Sequence, residues 1–196
     1  MRAWIGPLAI VAVSAALWSV RGRSAAPPAP LPVLGAVPAF ALVDQGGQPF
    51  TRASVNGQVW VAQFMFTRCA GQCPLMAQRT QALLRELDGL PVRVVSFSVD
   101  PAHDTPETLA AYARRYGARP GTWDFVTGAP GAVQALAEQG FRLAVDEGGP
   151  PEEPITHSVR LALVDREGRV RGAYDATAPE ALGWLRADAR RLAVQP

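Results

Sequence analysis

The 196-residue chain contains no lysine: all 19 of its basic residues are arginine, a choice that no feature of the sequence explains. Against 17 acidic residues they leave a formal net charge of +2 and form no basic block. Nothing here offers the electrostatic footprint that a nucleic acid needs. Histidine is nearly absent, with only His103 and His157, and so is cysteine, with only Cys69 and Cys73. No internal repeat is present. The length allows one domain with a sizeable core and an N-terminal extension.

What the chain does have centres on Val59 to Pro74, VWVAQFMFTRCAGQCP. Val59 to Phe66 is apolar and aromatic apart from Gln63, the pattern of a buried central strand. Pro74 suits the first position of a following helix. There Met76, Thr80, Leu83, Leu84 and Leu87 fall on one core-facing stripe. Both thiols thus sit on a strand-to-helix turn, at the positive end of a helix dipole. That position predicts a lowered thiol pKa and a ready thiolate, the form that attacks disulfides and binds metals. The spacing is C-x-x-x-C, one residue longer than the thioredoxin-type redox signature. Within a helix such a pair would lie roughly 5–6 Å apart at Cβ, wider than the ~3.8 Å of a disulfide. Bridging therefore needs the bend that Gly71 permits, and two thiolates slightly apart can also hold a soft ion. Two buried structural cysteines are the plainer alternative, disfavoured because the pair flanks a turn.

At the N-terminus, Ala3 to Val20 is an uncharged, mostly apolar run of 18 residues, roughly 27 Å as a helix and close to one bilayer core. Arg2 before it and Arg21 and Arg23 after it leave the charge bias nearly balanced. Ser24-Ala25-Ala26 resembles a signal-peptide cleavage site, but Pro27 directly behind it disfavours cleavage. No cysteine follows the run, which argues against a lipid-modified N-terminus. The expectation is an uncleaved single-pass anchor over 1–23 in the cytoplasmic (inner) membrane. The domain then lies in the periplasm or otherwise outside the cytoplasm. Residues 24–39 are proline-rich, read as a semi-rigid tether without regular structure. The folded domain is expected over 40–196.

Within it, FALVDQGGQPF reads as a hairpin turning at Gly46-Gly47, and Asn56-Gly57 turns into the central strand. Val92–Val99 is a second buried strand. Thr105 caps a helix with Pro106 at its first position, stopped by Gly117. Trp123–Val126 is a strand, Ala132–Gln139 a helix closed by Gly140, and Phe141–Val145 a further strand. SVRLALVD and RVRGAYDA pair across Glu167-Gly168. Thr177-Ala178-Pro179-Glu180 reads as a capping box opening the last helix, through Leu192. The order β-β, β-α-β-α-β-α, β-β-α predicts a three-layer α/β domain with a mixed central sheet.

Of the two histidines, His103 lies in the loop VDPAHDTPE, read as a solvated polar position. His157 directly precedes a strand, after the loop DEGGPPEEP. In a thioredoxin-like sheet the chain there passes the cysteine turn, so His157 is a candidate third ligand beside Cys69 and Cys73. Met65 and Met76 flank the site in sequence and are read as core packing.

FMFTRCAGQCP resembles the F-x-F-T-x-C-x-x-x-C-P motif of the Sco/SenC family, thioredoxin-fold proteins of cytochrome c oxidase assembly. SFSVDPAHDTPETLAAYA and THSVRLALVDREGRV continue the similarity, which runs from Phe40 to Leu192. Two positions depart from the family pattern: Ala70 stands where many members have proline, and Thr156 where many have an acidic residue. The resemblance implies copper held by Cys69, Cys73 and His157, with Asp100 and Asp104 as supporting groups nearby. It also implies a role in loading the dinuclear copper centre of an oxidase, whose copper-receiving subunit is the partner. In this reading the site is partly exposed, so that a partner can take the ion by ligand exchange. The rival reading is an extracytoplasmic thiol–disulfide oxidoreductase that keeps the oxidase cysteines reduced. Cys69 would then be the nucleophile, Cys73 the resolving thiol, and His157 dispensable.

Overall fold

The computed structural model describes residues 29–143, 145–146, 156–157 and 159–195, at 145–146 and 156–157 the backbone alone. The expected anchor over 1–23 lies outside the described residues, and among these no helix is long and apolar enough to cross a membrane. An eight-stranded mixed sheet runs β1(Gly35–Ala36), β10(Arg169–Asp175), β9(Arg160–Val164), β4(Val59–Met65), β5(Val92–Ser98), β6(Trp123–Thr127), β2(Ala41–Asp44), β3(Pro49–Thr51). Only β4–β5 and β5–β6 pair in parallel. A separate ladder joins β7(Val145–Asp146) to β8(Thr156–His157). The helices are α1(Gln72–Glu86), α2(Pro106–Arg115), α3(Ala132–Phe141) and α4(Pro179–Val194).

The centre of the sheet is β4, buried at every residue. Successive side chains of a strand point to opposite faces. Trp60 and Phe64 pack with Phe97 and, from α3, Phe141 on one face. Gln63 points to the other, toward α1, where α2 and α4 also pack. This is the expected three-layer arrangement. Gln63 is satisfied there: Thr80 Oγ1 donates to its Oε1 at 2.7 Å, and its Nε2 donates to Ser96 Oγ at 2.6 Å. Trp123 Nε1 donates to the same Ser96 oxygen at 2.8 Å. A buried, paired network of this kind fixes α1, β4, β5 and β6 in one register.

Several boundaries differ from the sequence reading. The tether is not without regular structure, because Gly35–Ala36 adds an edge strand to β10. α3 continues through Gly140 and Phe141 and ends at Arg142, a non-glycine residue at φ 55°. Gly140 is there for space: a Cβ would meet Pro38 Cδ at 2.8 Å. The strand expected over 141–145 shrinks to Val145–Asp146. No capping box opens α4. Its N-cap is Ala178, and the Thr177 hydroxyl turns back to Asp175 Oδ1 at 2.6 Å.

The β9–β10 turn is organised by Asp165, which is buried and accepts from Arg169 Nε at 2.8 Å and Arg171 Nη1 at 2.7 Å. Backbone N–H groups of Glu167 and Arg169 add two further bonds at 3.1 and 2.9 Å. Burial alone would raise the Asp165 pKa, but these donors outweigh it and hold the carboxyl below its ordinary value. A depressed folded pKa means that the stabilisation is complete above the unfolded value and disappears as pH falls through the folded one. Asp165→Asn should therefore cost stability at pH 7, by about 2 kcal/mol, or about 4–8 °C in Tm. It should also flatten the decline in Tm below about pH 5. Thermal unfolding from pH 7 down to pH 2 checks both; parallel wild-type and variant curves would show that Asp165 contributes nothing as a charge.

Candidate metal centre

β4 and β5 are parallel and end on the same side of the sheet, where Val99 N–H donates to Met65 O at 2.9 Å. From there the chain leaves β4 through Phe66, Thr67 and Arg68 into the cysteine turn. α1 begins at Gln72 behind the cap Gly71, so Cys73 lies in the first helical turn and Cys69 outside it. Pro74 is thus third in the helix rather than first. Cys69 N–H closes the turn on Phe66 O at 3.4 Å.

The two thiols are brought together: neither is in a disulfide, and their side chains share a hydrogen bond. Cys69 is 6% exposed and Cys73 1%, so the pair is buried rather than partly exposed as expected. The expected lowering of the thiol pKa is reversed for Cys73. Its hydrogen bond with Cys69 pushes the pKa far up, burial adds to this, and the charge of Asp104 adds a little more. A helix N-terminus favours an anion, but here the partner sulfur and the loss of solvent outweigh it. In this state Cys73 holds its proton, and a metal ion bound there would have to displace it.

The loop after β5 fastens this turn. Asp104, fully buried, accepts from Thr67 N at 3.1 Å, Thr67 Oγ1 at 2.5 Å and Ser98 Oγ at 2.5 Å. Asp100 accepts from Arg68 Nε at 2.6 Å and pairs with His103 Nδ1 at 2.9 Å. Burial would raise the Asp100 pKa, but the bonds from His103 and Arg68 prevail and lower it. Both carboxylates therefore grip the two residues immediately ahead of Cys69. His103 is 56% exposed in its side chain, in keeping with a solvated loop. Met65 and Met76 are buried in the core.

The side chain of His157 lies outside the described residues; its backbone pairs with Val145 in the β7–β8 ladder. β9 is antiparallel to β4, so it enters the sheet at the end where β4 leaves for the cysteines. Two residues after His157, Val159 lines a shallow dimple with Gln72, Leu75 and Met76 of α1. Among the described residues no three His, Cys, Asp or Glu side chains form a metal-sized group.

Sequence reasoning missed Thr67, Arg68 and Ser98, the donors that hold the two aspartates, and it missed Tyr112. Burial raises the Tyr112 pKa, with smaller contributions from Tyr116 and from both thiols, which places its phenol within electrostatic reach of the pair. The helical spacing TPETLAAYARRYG could have marked Tyr112 as core, but nothing in it points to the cysteines.

Residues 33–184 match the SCO1/SenC family. A putative copper-binding protein of Stutzerimonas stutzeri is 32% identical over 148 residues, covering 72% of this chain and 70% of that one. A SCO1/SenC family lipoprotein from Bacillus anthracis superposes with a TM-score of 0.76 at 31% identity, covering 84% of this chain and 99% of that one. BsSco, described with a disulfide switch and as a member of the Sco family of cytochrome c oxidase assembly proteins, gives a TM-score of 0.75 at 28% identity. That match covers 86% of this chain and 100% of the solved BsSco chain. With its thioredoxin-like sheet, its x₃-spaced thiols and a family match over most of its length, the chain belongs to the SCO1/SenC family.

Proposed function

We propose that this chain is a membrane-anchored copper chaperone of cytochrome oxidase assembly. It holds one copper ion as cargo through Cys69, Cys73 and His157 and passes it to the dinuclear copper centre of an oxidase subunit. The observation that carries this reading is the thiol pair in mutual contact on the turn after β4, beside the point where the chain from His157 enters β9. The naming of a 32% identical relative as a putative copper-binding protein supports it, as does the assignment of BsSco to oxidase assembly. Thiolates favour Cu(I), and an added imidazole also suits Cu(II).

In this reading the chain's own groups do three things. Cys69 and Cys73 give up their protons as the metal binds. Asp104 and Asp100 hold Thr67 and Arg68, so that the turn keeps both sulfurs on one side. The apolar run over 3–20 holds the domain to the membrane. Anaerobic titration of the reduced full-length chain in detergent, against a competing Cu(I) chelator, tests the site. One copper per chain is expected, and His157→Ala should weaken binding at least about tenfold. Equal binding without His157 would remove it as a ligand. Wild-type binding no better than that of Cys69→Ser/Cys73→Ser would overturn the copper site.

A second reading is favoured by the same contact between the thiols. As a thiol–disulfide oxidoreductase, the Cys69 thiolate would attack a partner's cystine and Cys73 would resolve the mixed disulfide. The pair would lose two electrons and two protons while the partner's disulfide became two thiols. That activity is indifferent to His157→Ala, which separates the two readings.

A further inference from the structure

The thiol pair lies beneath a thin cover. Both cysteines are buried, yet Arg68, Ala70, Gly71 and Gln72 of the same turn are exposed. An ion arriving from solution therefore needs a first ligand at the surface before it reaches the sulfurs. The turn itself offers none. Arg68 only donates, and Gln72 has a hard amide oxygen where a soft ion selects sulfur or imidazole.

The neighbouring loop, after β5, does offer one. His103 stands in solvent with its Nδ1 2.9 Å from Oδ1 of the buried Asp100, whose other oxygen accepts from Arg68 Nε at 2.6 Å. An ion-paired carboxylate only accepts, so in the neutral ring Nδ1 carries the proton and donates it to Oδ1. The lone pair is then on Nε2, on the side of the ring away from Asp100. A carboxylate on one ring nitrogen with the other left open is the arrangement that orients a metal-ligating histidine and raises its basicity. Asp100 also ties this imidazole to Arg68, the residue bonded to Cys69, and the next residue, Asp104, holds Thr67. Loop and turn thus stay side by side. Among the described residues no group of three His, Cys, Asp or Glu forms here, so an ion on His103 is held weakly enough to move on.

We propose that His103 is the entry ligand for copper: its Nε2 takes the incoming Cu(I) at the protein surface and hands it to the thiol pair beneath. This rests on the copper reading given above and adds a route to that site. In the first exchange a bond from the donor's ligand to the ion is replaced by one from Nε2, which carries no proton to lose. In the second, the sulfurs replace the imidazole, and the protons that the thiols carry go to solvent. The ion remains Cu(I) throughout, and His103 is left on Asp100 with Nε2 open again. Held beside the turn, the ion meets the thiols at an effective concentration far above that in solution.

The test is kinetic. The reduced full-length chain in detergent is mixed anaerobically, in stopped flow, with the Cu(I)–bicinchoninate complex, whose colour is lost as the ion leaves. His103→Leu should slow loading at least about tenfold. A ligand that holds the ion only in passing lowers the barrier in both directions. Unloading to excess chelator should therefore slow by the same factor, with the equilibrium affinity and Tm unchanged. His103→Met separates a ligand from a prop, because a thioether binds Cu(I) but has no proton to give Asp100. It should restore most of the loading rate. Wild-type rates in His103→Leu would overturn the entry role. So would an affinity loss as large as the rate loss, or His103→Met as slow as His103→Leu; either makes His103 a support for the turn. A wild-type chain that takes no copper at equilibrium would overturn the copper reading, and the entry role with it.

Discussion

Asp104→Ala should cost about 3–5 kcal/mol of stability, because a buried carboxylate is removed while its three donors stay behind. The Thr67 N–H, the Thr67 hydroxyl and the Ser98 hydroxyl all end on this one group, which is completely buried. In a chain of this size the loss corresponds to about 6–20 °C in Tm. Asp104→Asn keeps one acceptor oxygen but turns an NH₂ toward donors, so it should fall between wild type and alanine. The effect reaches the thiols, since Thr67 lies two residues ahead of Cys69. On the copper reading, Cu(I) affinity should drop about 10–100-fold, as for other groups that orient ligands. Asp100→Ala should do less: its partners Arg68 and His103 are 45% and 56% exposed, and water can replace them. Thermal unfolding and chelator competition on the same samples check both parts. Unchanged Tm and affinity in Asp104→Ala would show that the turn is held by something else.

How much of this was legible follows from which signals are local. The β4-α1-β5-α2-β6 succession came through because its punctuation is carried by neighbouring residues. Thr105 caps α2 by accepting from Thr108 N–H at 3.3 Å, and Gly57 takes the turn into β4 at φ 72°. The reading of 177–180 as a capping box failed on competition, because Asp175 Oδ1 accepts from the Thr177 N–H at 2.7 Å, the donor that Glu180 would have taken, and from the Thr177 hydroxyl as well. The end of α3 failed because Gly140 answers to Pro38, about a hundred residues away in sequence. β1 was hidden for the same kind of reason: two residues in a proline-rich stretch become a strand only because Arg171 and β10 hold them. Gln63 looked like a flaw in an apolar run, and its partners Thr80 and Ser96 come from two other elements, with Trp123 of a third donating to the same Ser96 oxygen. At the site, the positions of both thiols were readable from spacing, and those of the two aspartates from the family resemblance. The acid strength of Cys73 was not. Spacing locates a thiol at a helix end, but burial and the partner sulfur set its pKa, and both are tertiary facts.

Cys73→Ser and Cys69→Ser should each lower Cu(I) affinity at least about a thousandfold, a larger loss than any orienting residue gives. Serine nearly reproduces the volume of cysteine, so the packing of the turn should survive. Its oxygen is hard and keeps its proton at pH 7, whereas Cu(I) selects soft thiolates. The two variants are not equivalent in stability. Cys73 is 1% exposed inside the first turn of α1, while Cys69 sits on the turn outside it at 6%. A hydroxyl at position 73 needs a full hydrogen bond in a more enclosed place, at a cost of about 1–3 kcal/mol if it finds none. Tm should therefore fall further for Cys73→Ser than for Cys69→Ser, with copper binding lost in both. That combination separates the loss of a ligand from the loss of a fold. If Cys69→Ser retained wild-type affinity with an unchanged Tm, the two-thiolate site would be wrong. Cys73 alone would then have to account for any copper bound.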